Sequence, residues 1–345
     1  MRDRAQGQEQ LSSLTVSDGV STIHIFPTVN EKAALARPLL DTGPLVYHSG
    51  GPIMQSVTTY AIFWVPPKLQ NGGSTSMSAH YQLVQRNLLT DYPGHGLDNN
   101  NTQYYQIVGG KTTYINNAGG FGGYYVDTAP YPASGCADSA TPGNCITDAQ
   151  IGAEIKKVMS AKGWTGGLTK MFLLFTSSGE GSCFNSSSTS CAYTQYCAYH
   201  SFISGTTPIV YGNEPYGDPT NCQVPGTPSP NGDIPADTAA TSASHELTEA
   251  ITDPELNAWY SAQGNEIGDL CAYNYDLNYW DSGNANQKWN GHFYELQDEY
   301  NNPRLPGRLW DWLHSDRPLS PSRSGRAVWF ASRRTQGAAH QVESL

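Results

Sequence analysis

Charge is scarce in this chain of 345 residues, with only 14 % of positions Asp, Glu, Lys or Arg. Basic side chains number 19 against 30 acidic ones, and the net charge is −11. Nucleic acid and anionic membranes are therefore excluded as partners, since both require clustered Lys and Arg to neutralise phosphate. No apolar run approaches the roughly 20 residues of a membrane span, so none is expected. The opening stretch MRDRAQGQEQLSSLTV is charged but lacks the apolar centre of a signal peptide. The expectation is that the true start lies upstream or that a propeptide precedes the domain. Also missing are a CxxC or Cys/His spacing for structural zinc, a serine nucleophile elbow and a Walker loop; GGFGG and VGGK have no helix start behind them.

What remains is rich in small, polar and aromatic residues, with 35 Gly, 22 Pro and 21 Tyr. That composition suits an exported, strand- and loop-rich protein better than a helical cytosolic one. Cys136, Cys145, Cys183, Cys191, Cys197, Cys222 and Cys271 lie in one Gly/Ser/Asn-rich middle span. Thiols there would be exposed unless paired, so disulfides, an oxidising compartment and secretion are expected, with one partner missing from the odd count.

A break falls near residue 302. Residues 303 to 345 carry 7 basic and 3 acidic side chains and no tyrosine or cysteine, whereas residues 1 to 302 carry 12 basic and 27 acidic. The abrupt switch after GHFYELQDEYNN reads as a shifted reading frame, which would also account for the missing eighth cysteine. The tail is expected to be poorly ordered and without function. Residues 1 to 40 show little periodicity and are expected as a loosely packed arm, leaving 41 to 302 as a single domain.

Within that domain, SVTTYAIFWVPP and TKMFLLFTSS read as buried strands, and QYYQIVGGKTTYI and GGFGGYYVDTAPYP as further ones. MSAHYQLVQRNLLTDY has helical spacing. TDAQIGAEIKKVMSAKG is the clearest helix, capped by Thr147 or Asp148, stopped by Gly163, with Ile151, Ile155 and Val158 on one face. TTPIVYG is a short strand, read as an edge. The fold class is α+β: a mixed β-sheet with packed helices and long loops stapled by disulfides.

The chemistry concentrates in SHELTEAITDPE, residues 244 to 255. Asp237 or Thr238 can cap a helix whose apolar stripe is Ala243, Leu247, Ala250 and Ile251, and Pro254 ends it. Residues four apart share a helix face, so His245 and Glu249 project side by side as two ligands for one metal ion. Imidazole nitrogen and carboxylate oxygen both suit Zn²⁺ at about 2.0 to 2.2 Å, and a catalytic site adds a third protein ligand and keeps a position for water. Glu246, one step round, is placed as general base for that water and then as proton donor to a leaving amine. The third ligand is expected from NEIGDLC, with Glu266 preferred to Asp269; Asp253 and Glu255 are alternatives. An anionic ligand pair makes the site harder than two histidines would, which admits Ca²⁺ or Mn²⁺ beside Zn²⁺. The plainer alternative is that acidic side chains merely favour the positive end of the helix dipole.

The HELTE helix resembles the metal-binding helix of the zincin metallopeptidases, differing at Glu249. The resemblance implies a zincin-like fold, His245 and Glu249 as ligands, Glu246 as base, and an extracellular protein or peptide substrate. Over residues 40 to 300, LVYHSGGPIMQSVTTYAIFWVPP, the Tyr/Gly-rich middle and ASHELTEAITDP resemble the phosphate-induced (EXORDIUM-like) secreted proteins. That likeness implies an exported, disulfide-containing protein associated with the cell wall, with wall polysaccharide as a further partner, and it admits a non-catalytic role. Asp276, Asn278, Asp281, Asn284 and Asn286 suit either a Ca²⁺ loop or, more simply, turns. His48 and His95 are read as structural.

Overall fold

In the computed structural model, residues 14–35, 43–276 and 280–302 are described. The expectations for the 303–345 tail and for Asn278 fall outside them. Seven strands form the main sheet: β1 (Thr15–Ser17), β2 (Thr22–Pro27), β3 (Val57–Trp64), β4 (Gly119–Asp127), β5 (Lys170–Thr176), β6 (Tyr196–Ile203) and β7 (Ile209–Glu214). Their spatial order is β1-β2-β6-β7-β5-β3-β4. β7, β5, β3 and β4 run parallel; β6 is antiparallel to both β7 and β2, and β1 to β2. The sheet is therefore mixed, as the composition and element pattern led one to expect.

Both faces are covered, which explains why the central strands are apolar at consecutive positions rather than alternating. On one face Ile62, Trp64, Phe172, Leu174 and Tyr211 pack against Ile151, Ile155 and Val158 of helix α4 (Asp148–Lys162). α4 opens with a capping box on Thr147 and closes on Gly163 in the left-handed region at φ 67°, as its sequence predicts. The opposite face carries Ala61, Phe63, Leu173, Phe175 and Val210 under two helices, α2 (Ala79–Asp91) and α5 (Ile234–Thr252). Ser78 caps α2 by accepting from the Tyr81 N–H at 2.8 Å.

Three expectations are corrected. Residues 14–35 are not a loose arm: they form β1, β2 and a short helix α1 (Val29–Leu35), and Ile23, Ile25 and Phe26 are fully buried. The alternation in TIHIFP was obscured because β2 lies inside the sheet with both faces covered. TTPIVYG is not an edge: β7 lies between β6 and β5, while β1 and β4 are the edges. The helix carrying HELTE starts a turn earlier than Asp237 or Thr238. Asp233 caps it by accepting from the Ala236 N–H, and Pro235 occupies the first turn, where no amide is needed.

Three disulfides join Cys136 to Cys145, Cys183 to Cys191 and Cys197 to Cys222, leaving Cys271 free. They staple the long connections around the sheet and fit an oxidising compartment. Among the described residues no helix is long and apolar enough to cross a membrane.

A buried histidine and carboxylate cluster

Every side chain of α5 from Ala236 to Thr252 is buried. Its Ser and Thr residues survive this by turning their hydroxyls onto the helix's own carbonyls: Thr238 on Ile234, Ser244 on Thr241, Thr248 on Ser244. The helix crosses the sheet over one transverse row of residues. His24 of β2 pairs with His200 of β6, and His200 pairs with Gly212 of β7, so the two imidazoles stand side by side facing α5. Above them α5 presents His245, Glu246 and Glu249, and the loop that follows returns Glu266 and Asp269. All seven residues are at most 2 % exposed.

His245 Nε2 lies 3.2 Å from Glu249 Oε1 and 3.8 Å from Asp269 Oδ1. His200 Nε2 lies 3.7 Å from Glu266 Oε2, and its Nδ1 lies 3.6 Å from Glu249 Oε2. Two ligands held at about 2.1 Å by one tetrahedral ion stand roughly 3.4 Å apart, and these separations bracket that value. Accordingly His200 Nε2, His245 Nε2, Glu246 Oε1, Glu249 Oε2, Glu266 Oε2 and Asp269 Oδ1 all lack a hydrogen-bond partner although buried. Leaving so many buried polar atoms unsatisfied is costly, and a divalent cation would satisfy them together.

The other atoms of these groups are well held. His200 Nδ1 meets Glu246 Oε2 at 3.1 Å. His245 Nδ1 faces the Gln297 side-chain amide at 2.8 Å, and its ring packs on Phe26. Asp269 Oδ2 accepts from the Glu266 N–H and from His24 Nε2, at 2.7 and 2.8 Å. Glu249 Oε1 accepts from the Asp269 N–H at 3.1 Å, which ties α5 to the loop.

The electrostatics follow from burial and crowding. Burial, reinforced by the neighbouring imidazoles of His24 and His245, keeps His200 well below the usual histidine range and so neutral, the form that binds metals. Burial, then the Glu249, Glu214 and Asp269 carboxylates, push Glu246 well above the carboxylate range. Glu266 is raised in the same way, by burial and then Asp253 and Glu249. For His24 burial alone would lower the value, but Asp269 overrides it and raises it to about 9. Asp269 shows the reverse balance: burial opposes, yet His24 brings it to about 2.

The sequence-predicted residues thus fall together, with differences. Asp269 faces His245, while Glu266 faces His200 and, at 3.5 Å, His24; both carboxylates lie within ligand range of Glu249. Asp253 lies close by but spends Oδ1 on the Asn257 and Ala258 N–H groups, closing the turn after α5. Glu255 makes no ion pair with the cluster among the described residues. His24 and His200 were missed; the available signal was a lone histidine inside the strands TIHIFP and YCAYHSFI. His95 stacks on Trp289 and His48 on Tyr260, so both are structural. Asn286 clips the backbone of Leu296 with both side-chain atoms, a turn-forming use. Comparison with models of known protein families, with curated proteins and with solved structures finds no match for this chain.

Proposed function

We propose that this chain is a metal-dependent hydrolase of peptide bonds in extracellular proteins, with the cation held by His245, Glu249 and Asp269 and with Glu266 beside them. The observation that carries the reading is the convergence of unpartnered, buried imidazole and carboxylate atoms from a helix, a strand and a loop. The ligand set of imidazole and carboxylate suits Zn²⁺ or Mn²⁺. A divalent cation there supplies Lewis acidity toward water and a carbonyl oxygen. Glu246 keeps Oε1 free while Oε2 holds His200. That free oxygen takes the proton of the attacking water and passes it to the leaving amine. The likeness of HELTE to the zincin helix supports peptide bonds as the substrate class, and the three disulfides support an exported protein.

A second reading is favoured by a specific observation: His245, Glu246, Glu249 and Asp269 are each 0 % exposed. An ion so enclosed can serve stability alone, in a wall-associated protein of EXORDIUM-like type. One experiment separates the two. Protein purified without chelator is analysed for metal and assayed on denatured protein substrates beside Glu246→Gln. Hydrolysis reduced about 10²- to 10⁴-fold in the variant, with metal retained, supports the peptidase. Bound metal with no hydrolysis in either protein supports the structural ion, and metal-free native protein removes both.

A further inference from the structure

We propose that the cluster is a two-cation centre bridged by Glu249, in which His245, Asp269 and Glu249 Oε1 hold one divalent ion and His200, Glu266 and Glu249 Oε2 hold the second. This rests on the metal-binding reading above and extends it to a second site, on a strand histidine that the HELTE motif does not contain.

Three observations carry it. First, the two oxygens of Glu249 face different imidazoles, Oε1 at 3.2 Å from His245 Nε2 and Oε2 at 3.6 Å from His200 Nδ1, and one ligand atom each of His200, Glu249 and Glu266 lie within 4.8 Å of one another. Second, the unpartnered buried atoms divide into two sets. His245 Nε2 and Asp269 Oδ1 stand 3.8 Å apart, and His200 Nε2 and Glu266 Oε2 stand 3.7 Å apart. A single ion at about 2.1 Å cannot reach every member, whereas each set, with its own oxygen of Glu249, gives one imidazole and two carboxylate ligands.

Third, the far side of every ligand is already occupied. Glu246 accepts at His200 Nδ1, the outer-shell arrangement that aims Nε2 at a metal; at His245 the Gln297 amide nitrogen stands 2.8 Å from Nδ1, and a cation on Nε2 requires that amide to turn its oxygen there. His24 spans the two carboxylates, with Nε2 on Asp269 Oδ2 and Nδ1 toward Glu266 Oε1, so that Oδ1 and Oε2 are the atoms left to point inward. The charge agrees. Glu246, Glu249, Glu266 and Asp269 are joined at the site by Glu214 and Asp253, both buried, and by the half-buried Glu299. Against seven carboxyls stand His24 and Lys32, whose ammonium donates to the Asp269 carbonyl. A second dication gives this crowd of carboxyls a further counter-charge.

The test is Zn²⁺ titration of the chelator-stripped full chain, read by bound metal per chain after gel filtration. Two equivalents are expected for the wild type and one for His200→Ala. One equivalent in the wild type overturns the second site while leaving the proposed function standing; none overturns both. Retention of two by His200→Ala, with native circular dichroism, also overturns it. Because that variant can fail to fold, the wild type is also loaded with Mn²⁺ and its electron paramagnetic resonance recorded. An exchange-coupled pair is expected, and the six-line signal of isolated ions at full loading overturns the bridge.

Discussion

A methyl group on Gly268 would stand 2.5 Å from His245 Nδ1, so glycine is what lets the loop backbone close over the imidazole. Gly268→Ala must move either the ring or the loop that carries Asp269. We expect a loss of about 1 to 3 kcal/mol in urea unfolding and at least tenfold weaker Zn²⁺ binding; an unchanged affinity would show that the ring's position does not matter. Gln297 tests the same imidazole from the other side. The structure sets its amide nitrogen toward the ring, whereas a cation on Nε2 requires Nδ1–H and hence the amide oxygen there. Gln297→Leu should weaken metal binding about 10- to 100-fold, while Gln297→Glu, which can only accept, should retain or strengthen it. Competition with a chromophoric chelator measures both, and equal affinities in the two variants would remove the role.

At the scale of elements, α5 is the piece on which the cluster depends, and its start is fixed by Asp233 rather than by the acidic residue one turn later. Asp233→Ala should cost about 1 kcal/mol in urea unfolding. Asp237 does different work, accepting from Ser229 and Asn231 to fold the preceding loop onto the helix. Much of this was legible in the sequence: the α4 cap and stop, the apolar strands β3 and β5, and the HELTE face. The start of α5 was not, because a helix buried on all sides carries no polar stripe, and its Ser and Thr residues imitate caps. The central place of β7 was not, because a six-residue strand reads the same inside a sheet or at its edge. His24 and His200 were not, because only strand register brings residues 176 apart into one row. The choice between Glu266 and Asp269 turned on a loop path that spacing does not encode.

At the scale of the molecule, the described residues hold an unusual stock of carboxyls taken out of water without a cation. Away from the cluster, Glu180 is fully buried, and burial, opposed only by the Gln70 backbone, pushes its carboxyl up to about 8. Asp98, buried at the start of α3 (Gly96–Asn101) with the Gly94 N–H as partner, is raised by burial to about 7. An acid whose folded value lies above its unfolded one binds more protons folded than unfolded in the interval between. Stability therefore falls as pH rises through that window, with the contribution fully present below the unfolded value near 4 and lost above the folded value near 8. The direction is opposite to ordinary acid denaturation, where ion-paired carboxylates lose stability on protonation. With chelator present to exclude cation effects, the urea midpoint should be higher at pH 5 than at pH 8.5. Glu180→Gln removes one contributor: it should match the wild type at pH 5 and exceed it at pH 8.5, since the amide needs no ionisation. A wild-type midpoint that climbs between the two pH values, with the variant following in parallel, would show that Glu180 titrates normally in the folded protein and that water reaches it.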